Sequence, residues 1–121
     1  MRRSTPDKKP LRVRFCVGVT QTCFDLPASG IAQVWGGVGA MLKGMNTLPG
    51  LTILGTMDDD QIMVGTSQSF PWTCYILADV DSIETVTAAC NLFRVTEVGE
   101  YRLWRYLRVE ARVGRELVVP V

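Results

Sequence analysis

The 121-residue chain predicts an α+β fold in the order β-α-β-β-α-β. Three observations predict it. Apolar and polar residues alternate with a period of two over 11–20, 72–80 and 101–115, as they do in strands with one buried face. Apolar residues recur at helical spacing over 31–45 and 83–93. Turn-forming residues separate these stretches: Asp25 and Pro27, Pro49-Gly50, and Asp81-Ser82.

The first strand runs from Leu11 to Thr20. Leu11, Val13, Phe15, Val17 and Val19 form its apolar face, and Arg12, Arg14, Cys16, Gly18 and Thr20 the other. Gly18 weakens the strand and marks either a close approach of ligand or backbone, or a twist or bulge. Residues 23–29 form a loop, with Ser29 as cap of the first helix. Ile31, Val34, Trp35, Val38, Met41, Leu42 and Met45 give that helix one broad apolar face. Gly36, Gly37 and Gly39 cost about 1 kcal/mol each in a helix, which suggests close packing against the sheet beneath. The helix ends near Asn46, before Pro49-Gly50.

Leu51 to Met57 is the second strand. Asp58-Asp59-Asp60 then forms a turn or an acidic patch; it lacks the glycine and the distant glutamate of a calcium loop. Ile62, Met63 and Val64 continue the strand or begin an extension, and Gly65 to Pro71 is a polar loop. In the third strand, Trp72 to Val80, Ile76, Ala78 and Val80 face the core, with Tyr75, Leu77 and Asp79 opposite. Asp81 and Glu84 fit a capping box with Asp81 as N-cap. The second helix buries Ile83, Val86, Cys90 and Phe93 and frays over Thr96 to Gly99. The last strand spans Tyr101 to Arg115. Leu103, Leu107, Val109, Ala111 and Val113 point one way, with Arg105 the exception; Trp104, Tyr106, Arg108, Glu110 and Arg112 point the other. Val118, Val119 and Pro120 leave a short tail or a further edge.

This order is that of the ferredoxin-like split βαβ arrangement, a four-stranded antiparallel sheet with two helices on one face. The uncovered face carries Trp104, Tyr106, Tyr75 and Leu77, which is too apolar for water. Two such sheets packed face to face bury it, giving a homodimer with ligand-sized space between the sheets or beneath the loops.

Composition bounds the rest. Apolar content of 47% and charge of 21% suit a globular protein of one domain. Arg2, Arg3, Lys8 and Lys9, beside Ser4, Thr5, Pro6 and Pro10, mark residues 1–10 as a flexible basic arm, with the domain at 11–121. The net charge is only +1 and no aromatic platform accompanies the arm, which speaks against a nucleic-acid partner. No apolar run is long enough to span a membrane, and the basic start is not followed by the apolar core of a signal peptide, so the expected location is the cytoplasm. Cys16, Cys23, Cys74 and Cys90 form no C-x-x-C pair, and the chain has no histidine. A conventional zinc site, Ser-His-Asp or Cys-His catalysis and histidine-ligated haem or iron are therefore excluded; no metal or cofactor is expected. Cys16 shares a strand face with Arg12 and Arg14, which makes it the candidate reactive thiolate, against the plainer reading of inert buried thiols. Asp79 is a further possible acid or base, or a turn residue.

Four stretches carry a family resemblance: C-V-G-V-T-Q-T-C-F-D-L-P at 16–27, L-P-G-L-T-I-L-G-T at 48–56, P-W-T-C-Y-I-L-A-D-V at 71–80 and Y-R-L-W-R-Y-L-R-V-E-A-R-V-G-R at 101–115. With these the chain resembles the dimeric α/β-barrel superfamily. Within it the chain is similar to the small IacB-like proteins encoded with bacterial indole-3-acetic acid degradation genes. The superfamily holds cofactor-independent monooxygenases, muconolactone-type isomerases, haem-degrading enzymes and plain ligand binders, so fold does not choose among them. The histidines many of those enzymes use are absent.

The site expected from the residues is a pocket for a small aromatic acid. Trp104, Tyr106, Tyr75 and Trp72 supply flat walls, and Arg108 or Arg112 holds the carboxylate by a two-pronged hydrogen bond. Glu110, between two arginines on its strand face, is the candidate general base. The competing reading makes Arg108, Glu110 and Arg112 a cross-dimer ion-pair ladder or a solvated face. Two functions follow: an enzyme transforming an aromatic intermediate of indole-3-acetate-like catabolism, by proton transfer or cofactor-free oxygen chemistry, or a non-catalytic binding or accessory dimer.

Overall fold

The computed structural model describes residues 9–61, 64–65 and 72–120. It is an α+β fold. Strand β1 (Leu11–Val19) leads through a single-turn helix α1 (Gln21–Phe24) into the long helix α2 (Ala28–Thr47) and strand β2 (Leu51–Asp58). Strand β3 (Cys74–Val80) and helix α3 (Ile83–Val95) follow. A small hairpin of β4 (Glu97–Val98) and β5 (Tyr101–Arg102), a 3-10 turn (Leu103–Arg105) and strand β6 (Leu107–Gly114) complete the chain. The main sheet has four strands in the order β2-β3-β1-β6, every neighbour antiparallel. The arm at residues 1–8, the expected extension at Ile62 and Met63, and most of the polar loop (66–71) lie outside the described residues.

The alternation of β1 explains its central place. Val13, Phe15 and Val17 join Ile76, Ala78 and Val80 of β3, Val34, Met41 and Met45 of α2, and Val86, Ala89 and Phe93 of α3 in one core. Both long helices thus cover one face of the sheet. Each large side chain buried there contributes about 1.5–3 kcal/mol. Among the described residues no helix is long and apolar enough to cross a membrane.

Local chemistry departs from expectation at four places. Pro27, not Ser29, stands at the start of α2, where its carbonyl accepts the N–H groups of Gly30 and Ile31. Gly37 does meet a close neighbour, but not the sheet: a methyl group there would lie 2.8 Å from Val98 Cγ2 and 3.3 Å from Leu103 Cδ1, so the small hairpin packs on bare helix backbone. Ser82, not Asp81, caps α3; its hydroxyl accepts the Thr85 N–H at 3.2 Å, and Asp81 Oδ1 accepts the Thr85 hydroxyl at 2.8 Å. Asp81 is still tied to the turn before β2, its N–H donating to Gly50 O at 2.9 Å, so helical geometry begins one residue later. Gly50 is left-handed (φ +85°), and any side chain on it would strike the Asp81 carboxylate.

The fourth departure is the largest. Residues 101–115 are not one strand. The expected fray before them is the β4–β5 hairpin, turned at Gly99 (φ +60°), and the 3-10 turn then shifts the side-chain phase. Residues three apart eclipse in such a turn, so Leu103 and Tyr106 point inward together and Trp104 points out. Tyr106 is 4% exposed and belongs to the helix-side core, while Trp104 is 56% exposed. Backbone bonds fix the turn: Tyr106 N–H donates to Leu103 O at 2.9 Å, and Thr20 N–H to Tyr106 O at 2.9 Å. Continuous pairing with β1 begins only at Leu107 and runs to Gly114.

A cavity on the uncovered face of the sheet

Pairing register builds the uncovered face. Arg14 lies opposite Leu77 on one side and Arg112 on the other; Cys16 lies between Tyr75 and Glu110; Arg12 lies between Asp79 and Gly114. On the far edge, Gly55 pairs with Leu77 and Met57 with Tyr75, after a bulge between Ile53 and Gly55. Gly55 brings no side chain to this face, and a cavity of about 560 Å³ opens, lined by Arg14, Met57, Trp72, Tyr75, Leu77 and Arg112 together with Gly55 and Thr56. Its size is that of a small-molecule site. Among the described lining residues there are two guanidinium groups, two aromatic rings and no carboxylate.

Three of these side chains have defined partners. The Tyr75 hydroxyl donates to Asp59 Oδ2 at 3.2 Å, with Trp72 O at 3.4 Å. Burial, then the Asp59 hydrogen bond and charge, push the Tyr75 phenol above its ordinary range, so it stays neutral and a donor. The Arg14 guanidinium sits 5.8 Å from the Tyr75 ring centre. Arg112 Nη2 lies 2.7 Å from Glu110 Oε2, but off the N–H axis: the contact is an ion pair, and Oε2, shielded from water, accepts no hydrogen bond. Asp79, considered as an acid or base, instead accepts Arg12 Nε at 2.6 Å, which raises the Arg12 pKa.

The expected site residues therefore divide. Trp72, Tyr75 and Arg112 meet in this cavity. Trp104, Arg108 and Glu110 line a separate groove of about 860 Å³ against α3, which Trp72 also borders. There the Arg94 guanidinium lies 5.0 Å over the Trp104 ring, and Glu84 and Glu110 balance Arg94 and Arg108. Tyr106 lines neither, being part of the core. Arg14, Met57 and Leu77 complete the cavity. Alternation placed Arg14 and Leu77 on the right faces, but only the strand order sets Arg14 beside Arg112.

The thiols offer no nucleophile. Cys16 is fully buried, on the uncovered side of the sheet and apart from the helix-side core, so the reactive-thiolate reading fails on access. Burial pushes the thiols of Cys23, Cys74 and Cys90 up, away from the thiolate. Among the described residues no group of three or more Cys, Asp or Glu could hold a metal ion.

No protein-family model matches the chain, and no curated protein matches it in sequence. Function has to be read from the geometry.

Proposed function

We propose that this chain is a ferredoxin-like subunit of a dimeric α/β barrel that binds a small aromatic carboxylic acid in the cavity of its uncovered sheet face. One observation carries the reading: Arg14 and Arg112 stand directly opposite each other across β1 and β6, in a cavity whose other described walls are aromatic or apolar. Like charges at such positions repel. Glu110 already pairs with Arg112 at 2.7 Å, so a ligand carboxylate between the two guanidinium groups would share Arg112 with Glu110 and give Arg14 a charge-assisted bond. Tyr75 and Trp72 offer ring faces to the aromatic body of the ligand, and Met57 and Leu77 offer flexible apolar contact.

The sheet order β2-β3-β1-β6 supports the ferredoxin-like assignment. Met57 and Leu77, exposed on the same face, support closure of the cavity by a second copy. Binding is favoured over catalysis because Glu110, the candidate base, lines the neighbouring groove and is engaged by Arg112. An aromatic acid of the indole-3-acetate type, which the resemblance implies, is complementary to the cavity's guanidinium groups and aromatic rings.

Tryptophan fluorescence tests the reading, since Trp72 borders the cavity. Titration with indole-3-acetate should give saturable quenching. Arg14→Ala and Arg112→Ala should each weaken it by about 10-fold or more, the worth of one charge-assisted bond. Arg108→Ala, in the other groove, should leave it within about 2-fold, and indole without a carboxylate should bind poorly. Absence of saturation with indole-3-acetate and its hydroxylated relatives, or equal binding by the Arg14 and Arg112 variants, would sink the proposal.

A further inference from the structure

The groove between α3 and β6 differs from the cavity in sign. Two guanidinium groups and no carboxylate line the cavity, whereas Glu84 and Glu110 line the groove together with Arg94 and Arg108. A ligand of one sign alone is repelled by half of these groups. A ligand that carries both signs meets a partner for each.

The fold keeps the two signs apart. The stack of Arg94 on Trp104 sets the last turn of α3 beside the 3-10 turn that precedes β6. Glu84, in the first turn of the same helix, stands about 15 Å away along its axis. Among the described residues neither Glu84 nor Arg94 forms an ion pair. On the strand, Arg108 and Glu110 occupy alternate positions, opposite Gly18 and Cys16, and so project from one face about 7 Å apart. Glu110 has bonding capacity to spare. Its Oε2 meets Arg112 off the N–H axis and accepts no hydrogen bond, while its side chain is 41% exposed and lines the groove.

The rest of the groove is apolar. Trp72 and Trp104 border it above Phe93, Leu107 and Val109. Trp104 is 56% exposed and takes no part in the core, yet the Arg94 guanidinium holds it at 5.0 Å. An indole held half in water beside an apolar floor is a ready wall for a flat ring.

We propose that the groove is a second small-molecule site, for a zwitterion with an aromatic side chain of the α-amino acid class. Its carboxylate bonds the Arg108 guanidinium, its ammonium bonds Glu110, and its ring lies against Trp104 over the apolar floor. The spacing of alternate strand residues suits an α-amino acid headgroup, whose two charged groups are joined through a single carbon. The groove volume of about 860 Å³ holds such a molecule. The cavity disfavours the same molecule, because an ammonium group there would face Arg14 and Arg112. The inference does not rest on what the cavity binds.

Trp104 borders the groove and not the cavity, so its indole N–H signal in nitrogen-15 NMR spectra of the full chain reports this site alone. L-Phenylalanine should shift that signal saturably, with a Kd of about 1 mM or below. Phenylacetate, which lacks the ammonium, and phenethylamine, which lacks the carboxylate, should each act at the groove with affinity lower by about 10-fold or more. Glu110→Gln and Arg108→Ala should each weaken phenylalanine by a similar factor, with circular dichroism unchanged. Indole-3-acetate should not displace phenylalanine. No saturable shift of Trp104, equal action of the three compounds, undiminished binding by Glu110→Gln and Arg108→Ala, or displacement by indole-3-acetate would overturn the proposal. The two readings fail separately, since Arg14→Ala tests indole-3-acetate in the cavity and Arg108→Ala tests phenylalanine in the groove.

Discussion

On the helix-covered face of the sheet, Val13, Phe15 and Val17 meet Ile76, Ala78 and Val80, with no charged side chain buried among the described residues. The same strands turn Arg12, Arg14, Tyr75, Asp79, Glu110 and Arg112 to the other side, where charges pair, stack or face one another around a cavity. One face is packed to hold the fold; the other sets Arg14 opposite an Arg112 that Glu110 pairs, beside an open cavity. Residue parity along a strand should therefore separate stability from the proposed recognition, and substitutions on the two parities should behave differently.

The sharpest break of that contrast comes from β1 itself. Phe15→Ala should cost about 3–5 kcal/mol in urea unfolding, through lost transfer energy and the cavity left behind. Its neighbour Arg14→Ala should cost about 0.5 kcal/mol or less while ligand binding suffers. Equal losses at the two positions would erase the distinction. Next, Tyr106→Ala should cost about 3 kcal/mol and Trp104→Ala about 1 kcal/mol or less, because only the first opens a void in the core. The reverse order would restore the simple strand at 101–115. Helix α2 offers a smaller version of the same comparison. Gly37→Ala should lose about 1–3 kcal/mol by crowding Val98 and Leu103. Gly36→Ala, with nothing near, should gain about 0.5–1 kcal/mol from helix propensity.

The smallest effect is that of pH. Cys23, Cys74, Cys90 and Tyr75 all have raised pKa values in the folded chain, burial being the first cause in each. Their contribution is complete below the ordinary thiol value of 9.0 and is lost as pH rises through the folded values, since the unfolded chain releases its protons first. The urea midpoint should fall between about pH 9 and pH 11. A midpoint that rises over this window would mean that these groups are not shielded as described.

Much of the covered face was legible in the sequence, because alternation at Leu11–Val19 and Ile76–Val80 and the helical spacing of Val34, Met41 and Met45 each report burial directly. The phase break at 101–106 was not. Leu103, Trp104 and Tyr106 fit a strand and a 3-10 turn almost equally well, and Arg105 on the apolar parity was the one residue out of place. The cap of α3 slipped by one because Asp81 and Ser82 are both good caps, and only the tie to Gly50 decides between them. The site was half legible. Trp72, Tyr75 and Arg112 could be named from residue type, but Arg14 joins them through a pairing between the first and last strands of the sheet, a contact no local pattern reports.

That pairing has a consequence for how the chain comes into being. During synthesis β1 leaves the ribosome well before its partner β6. Until then the middle of the future sheet is an unprotected edge, and the helices have only part of a surface to settle on. Such sequence-distant pairing folds slowly and leaves strand edges open to misassociation while it waits. Arg12 and Arg14, on the uncovered side of that waiting strand, place positive charge beside it, and such charge disfavours misassociation of an open edge.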